Sequence, residues 1–169
     1  WTCPPGFVVT AKPGAAGLPA CAPDPADCGT GPFGSIAPGP GVVFVDQKAA
    51  PGGDGSVGKP FDTIEAAGPK IDIGGTVALA AGTYGVQLTI PDPLTIRGRC
   101  AAMVTILADT GNTAIRVQGR AKKGNVWLDG LTLAGTRYGL TVTGGYTVQG
   151  RRLYIREVKG VGVLATGAL

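Results

Sequence analysis

Short runs in which apolar and polar residues alternate fill most of this chain, and from Ala114 onward the runs repeat. AIRVQG (114–119) aligns with GLTVTG (139–144), and VWLDGLTL (126–133) with VQGRRLYI (148–155), so that Val126 meets Val148, Leu131 meets Leu153 and Leu133 meets Ile155. The spacing is about 22–25 residues, and the variation fits a longer turn at 120–124. A third copy, VGVLATG, opens at 161–167. One such unit cannot bury its apolar face alone, so the pattern predicts a coil that stacks on itself.

Alternation also sets direction, because successive side chains of a strand point to opposite faces. In NVWLDGLTL, Val126, Leu128, Leu131 and Leu133 form the inward column, while Trp127, Asp129 and Thr132 face out. In VQGRRLYIRE, Leu153 and Ile155 point in and Arg152, Tyr154 and Arg156 point out. Parallel stacking about 4.8 Å apart puts Asp129 one rung below Arg151. An exposed ion pair there is worth about 0–1 kcal/mol and helps to hold the register.

Upstream, VVFVD (42–46), TVALAAGTY (76–84), VQLTI (86–90), LTIRG (94–98) and VTILA (104–108) read as further strands. QKAAPGGDGSVGKP (47–60) is a long turn. FDTIEAAG (61–68) is the one helix, with Asp62 or Thr63 as cap, Glu65 in its first turn and Gly68-Pro69 ending it. Residues 1–40 carry almost no period, and only FVV (7–9) reads as a strand. This Cys/Pro/Gly-rich segment is expected to form a stapled module or a wrap beside a coil spanning 41–169.

Composition narrows the class. With 30 Gly and 14 Pro in 169 residues, and only 15% charged, elements must be short and punctuated, which argues against a helical protein. At 44% apolar the chain is not disordered. No run approaches the ~18 apolar residues of a membrane span, and no leader pattern is visible. A start at Trp1 rather than Met leads to the expectation that something upstream has been removed. The four cysteines, Cys3, Cys21, Cys28 and Cys100, occur with no His and no CxxC pair, so disulfides in an oxidising compartment are expected over zinc. The protein is accordingly expected outside the cell or on its surface, with no metal or other cofactor.

The net charge of +4 hides a polarity. Residues 1–96 sum to −4 and residues 97–169 to +8, so the repeating part is the basic part. Its outward side chains Trp127, Arg151, Arg152, Tyr154 and Arg156 fall on adjacent rungs of one face, with Lys122-Lys123 in the inserted turn. Aromatic faces stack on sugar rings and Arg forks bind carboxylates or sulfates, so these five are the candidate ligand-binding residues, with acidic polysaccharide as partner. The competing reading is a solvated face built for β propensity and solubility. Nucleic acid is a weaker partner, since a disulfide-bonded extracellular protein seldom meets it.

The stretch VFVD…GGDGSVGKPFDTIEAA…GGTVALAAGTYGVQLTIPDPLTIRG resembles the opening of right-handed parallel β-helix proteins of the pectin-lyase-like superfamily. The CPPGF…CAP…DC segment and GRCAAMVTI (98–106) are similar to secreted repeat proteins of predatory or gliding deltaproteobacteria. The resemblance implies an all-β fold: a short right-handed parallel β-helix with an N-terminal capping α-helix and a disulfide-stapled N-terminal segment. It also implies that Asp54-Gly55-Ser56 shapes a loop, that Pro60-Phe61 seats the helix, and that Gly82-Thr83-Tyr84 leads into the first strand of the coil.

The superfamily includes polysaccharide lyases and hydrolases, but its fold hosts adhesins and phage spikes alike. Lyases of this kind use an acidic Ca²⁺ cluster and an Arg or Lys base, and the repeating region has only Asp109, Asp129 and Glu157. In VWLDG (126–130) Gly130 stands where a lyase motif carries His. No carboxylate pair of an inverting hydrolase converges in this register. No catalytic residue is therefore assigned, and a non-catalytic scaffold or adhesive coil is the leading expectation.

Four cysteines allow three pairings. Cys28 lies nearest the coil, which favours Cys28–Cys100 with Cys3–Cys21. VGVLATGAL reaches Leu169 without a helix, Pro or polar cap. The end is therefore expected to be uncapped, either because the native chain continues or because another copy stacks there head to tail.

Overall fold

A computed structural model of the chain describes residues 2–11, 19–108, 112–119, 124–135 and 137–167. Among the described residues thirteen strands and one short α-helix follow in order: β1 (Phe7–Val9), β2 (Cys21–Pro23), β3 (Val42–Val45), α1 (Ile64–Ala67), β4 (Thr76–Leu79), β5 (Gly82–Gly85), β6 (Leu88–Ile90), β7 (Thr95–Gly98), β8 (Val104–Ala108), β9 (Thr113–Gln118), β10 (Gly124–Gly135), β11 (Tyr138–Thr143), β12 (Tyr146–Arg156) and β13 (Val163–Thr166). From β3 onward they wind into an all-β parallel solenoid of about four turns.

One sheet runs β3-β4-β7-β10-β8-β5, with β12 on the other edge of β10. The long strand β10 bends within itself. Its Trp127–Asp129 stretch pairs with β7, and Thr132–Gly135 pairs with β8. Gly130 makes the bend, with φ +66° and a missing Cβ that would meet the Gly98 carbonyl oxygen at 2.8 Å. The remaining face of each coil forms a second parallel sheet, β13-β11-β9-β6.

Repeating apolar positions become ladders along the bore. Tyr84, Ile106, Leu133 and Ile155 stack in register, as do Val43, Val77, Ile96 and Leu128, and Leu88, Ile115 and Leu140 on the third face. Val126, Leu128, Leu131 and Leu133 are fully buried, as the alternation predicts. The aligned pairs Val126↔Val148, Leu131↔Leu153 and Leu133↔Ile155 are the observed register of β10 on β12. Thr132 does point out of the bore, yet it is buried and its hydroxyl donates to the Ala101 carbonyl.

The N-terminal end of the bore is covered in part by α1. Thr63 caps it by accepting from the Ala66 N–H, and Ile64 and Ala67 enter the core. The α-helix ends at Gly68-Pro69 as expected, and the chain then tightens into a 3₁₀ turn, Gly68–Lys70. TVALAAGTY forms two strands, because the coil turns a corner between Leu79 and Gly82.

The preceding loop is tied to β3. Asp54 accepts from the Ser56 N–H, the Phe44 N–H donates to the Gly55 carbonyl, and the Phe61 N–H donates to the Phe44 carbonyl. At Gly55, φ is +83° and an added Cβ would meet the Phe61 ring at 2.8 Å. The GGDGS…PF run is therefore a clasp whose parts require one another.

The disulfides are Cys3–Cys21 and Cys28–Cys100, the pairing that the positions favoured. The second fastens the N-terminal segment as a wrap on the outside of the coil. Phe33 packs edge-on against Phe44 with ring centroids 4.7 Å apart, and Ile36, Ala78 and Ala80 complete a small outer core. Arg99 donates to the carbonyls of Cys28 and Gly29.

Candidate functional site

The antiparallel hairpin β1–β2 crosses the outward face of the basic coils. Its placement follows from the wrap: Cys28 is anchored on Cys100, and the 3₁₀ turn Pro25–Cys28, capped by Asp24, carries Asp27 toward β12. Phe7 packs against Tyr154 with centroids 6.1 Å apart. Between hairpin and sheet lies a groove of about 950 Å³, bounded by Pro4–Phe7 and Asp27 on one side and by Arg97, Trp127, Asp129, Arg151 and Arg152 on the other.

The charges in this groove are ordered. Asp129, whose side chain is only 16% exposed, receives two hydrogen bonds from Arg152, at 2.8 Å to Oδ1 and 2.6 Å to Oδ2. Arg97 approaches the same carboxylate at 3.6 Å, and Asp27 meets Arg152 at 3.3 Å. Hydrogen bonding to Asp129 raises the Arg152 guanidinium above its ordinary value, so it is a permanent cation.

The expected Asp129–Arg151 pair is therefore corrected. The register is as predicted, with Asp129 opposite Arg151, but the ion pair goes to Arg152. Arg152 lies opposite Gly130 at the corner of the coil and takes φ +46°, which departs from strict alternation and turns its fork back over Asp129.

The five candidate residues thus separate. Trp127, 37% exposed, and Arg151, also exposed, line the groove, and neither side chain has an ion-pair, hydrogen-bond or ring partner among the described residues. Arg152 is held by Asp129 and Asp27, Tyr154 is half-buried beneath Phe7, and Arg156 is paired with Glu157. Lys122 and Lys123 lie outside the described residues.

Sequence reasoning missed Arg97, Asp27 and Phe7. Arg97 was within reach, since LTIRG places it outward in the column that Ala78, Asp129 and Arg151 share. Asp27 and Phe7 had no signal, because the hairpin carries no repeat that would set it against β12.

Among the described residues no group of three His, Cys, Asp or Glu side chains could hold a metal ion. No described helix is long and apolar enough to cross a membrane. The chain matches no known protein family, no curated protein and no solved structure.

Proposed function

We propose that this protein is a non-catalytic scaffold or adhesive coil, secreted or held at a bacterial cell surface, that grips acidic polysaccharide in the groove under its N-terminal hairpin. The observation that carries this reading is the pairing of an exposed Trp127 face with an Arg151 fork that no carboxylate of the described chain occupies, side by side in one groove. A sugar ring stacks on the indole while its carboxylate or sulfate takes the guanidinium, and Arg97 adds a second cation nearby. Asp129 and Arg152 hold the floor rigid, which lowers the ordering cost of binding. Two disulfides and the resemblance to the pectin-lyase-like superfamily support the placement outside the cell.

The test is co-sedimentation of the purified chain with acidic and neutral polysaccharides, with polymer length followed in the same tubes. Retention on acidic polymers alone, falling with salt and reduced about tenfold by Trp127→Ala or Arg151→Ala, is the expected result. Shortened polymer would replace this reading by a lyase or hydrolase of the same superfamily. Mass that grows with protein concentration, without any polymer, would replace it by head-to-tail assembly.

A further inference from the structure

The solenoid bore opens on one side at its N-terminal end. Strand β6 is paired with β9 on one edge only, and β3, the first strand of the coil, belongs to the other sheet. Nothing in the third face therefore precedes β6 among the described residues, and α1 with its 3₁₀ extension roofs the gap only in part. What remains is a pocket of about 400 Å³ that reaches the core, its inner wall made by Ile64, Val77, Ile90 and Ile96, all less than one-tenth exposed.

The mouth has a different chemistry. Leu88, Leu94 and Ile71 lead outward to Glu65, Asp72 and Asp92, and no Lys or Arg lines the pocket. None of the three carboxylates has a hydrogen-bond or ion-pair partner among the described residues. Ile73 stands at the same mouth 76% exposed, the barest of the large apolar side chains described. An apolar hollow of small-molecule size with unmatched negative charge at its rim is complementary to one ligand class.

We propose that this pocket binds a small amphipathic cation, an alkyl- or aryl-ammonium or guanidinium compound. Its apolar body enters the bore against Val77, Leu88 and Ile96, and its head stays at the rim with Glu65, Asp72 and Asp92. The site shares no residue with the groove that faces the hairpin, so the two can be tested separately.

The experiment titrates the disulfide-bonded full chain with n-octylammonium, n-octanoate and n-octanol, reading affinity by calorimetry and location by amide chemical shifts. The ammonium is expected to bind about tenfold more tightly than the carboxylate, with shifts confined to residues 64–73 and 87–94. Glu65→Gln combined with Asp72→Asn, at two exposed positions, should bring the two probes closer together, and Leu88→Trp should abolish both by filling the mouth. The charge variants decide the matter if Leu88→Trp fails to fold. Equal affinity for the two ionic probes, shifts centred elsewhere, or no saturable binding of the ammonium would overturn the proposal.

Discussion

Arg152 illustrates how a single residue can carry strain and repay it. A non-glycine side chain at φ +46° costs about 1 kcal/mol or more. The two-pronged bond to the half-buried Asp129 offsets this and spares that carboxylate from lying unpaired beneath the hairpin. Arg152→Ala should therefore destabilise the protein by about 1–3 kcal/mol in urea unfolding. Arg152→Gly should cost about 1 kcal/mol less than Arg152→Ala, because glycine relieves the backbone. Equal losses would mean that the corner is unstrained.

Tyr84 makes a pH prediction at the same scale. Its phenol is buried in the bore, donates toward the carbonyls of Val45 and Ala80, and is pushed well above the ordinary tyrosine range, first by burial and then by nearby Asp46. A raised folded value means that the neutral form is favoured by folding. The stabilisation is complete below the unfolded value near pH 10 and is lost as pH rises beyond it. Ultraviolet titration should show the Tyr84 phenol resisting ionisation until the coil unfolds. Tyr84→Phe should remove that resistant phenol at a cost of about 1 kcal/mol at neutral pH.

Among the elements, the N-terminal wrap depends on two unlike fastenings. Cys28–Cys100 spans 72 residues, and its removal by Cys28→Ala/Cys100→Ala should cost about 2–5 kcal/mol. Cys3–Cys21 closes only the hairpin, so its loss should affect the groove more than the coil. Phe33→Ala, which strips the ring from Phe44, should cost about 3–5 kcal/mol with both disulfides intact. Thermal unfolding of the three variants, with amide exchange in β3 and β12, separates these roles. If the Cys28/Cys100 double variant left β3 protection unchanged, the outer core around Phe33 and the Arg99 hydrogen bonds would suffice to hold the wrap.

Over the whole molecule, the charge polarity and the two cavities coincide. The pocket with the acidic rim sits at the end formed by the acidic half, and the groove with the uncommitted arginine sits on coils of the basic half. Binding of acidic polysaccharide should weaken steeply as salt shortens the screening length to below about 8 Å, whereas octylammonium, held mainly by its apolar body, should lose much less. Parallel salt series with the two ligands measure this directly, and an equal salt response would show that the apolar bore contributes little.

Much of this architecture was legible in the chain alone. Alternation and repeat spacing determined the strands, the inward column Val126, Leu128, Leu131 and Leu133, and the register of β10 on β12, because a stacked coil turns local periodicity directly into contacts. The GGDGS…PF clasp was legible only through the superfamily resemblance, and the helix cap was narrowed to Asp62 or Thr63, of which the structure uses Thr63. Tertiary structure alone decided which arginine Asp129 receives, since that turns on one backbone angle at a corner that alternation does not describe. It also decided that the hairpin lies over β12, with Asp27 meeting Arg152 across 125 residues, and that no described strand precedes β6 in its sheet. Such contacts are set by the packing of non-repeating segments, for which no periodic signal exists in the sequence.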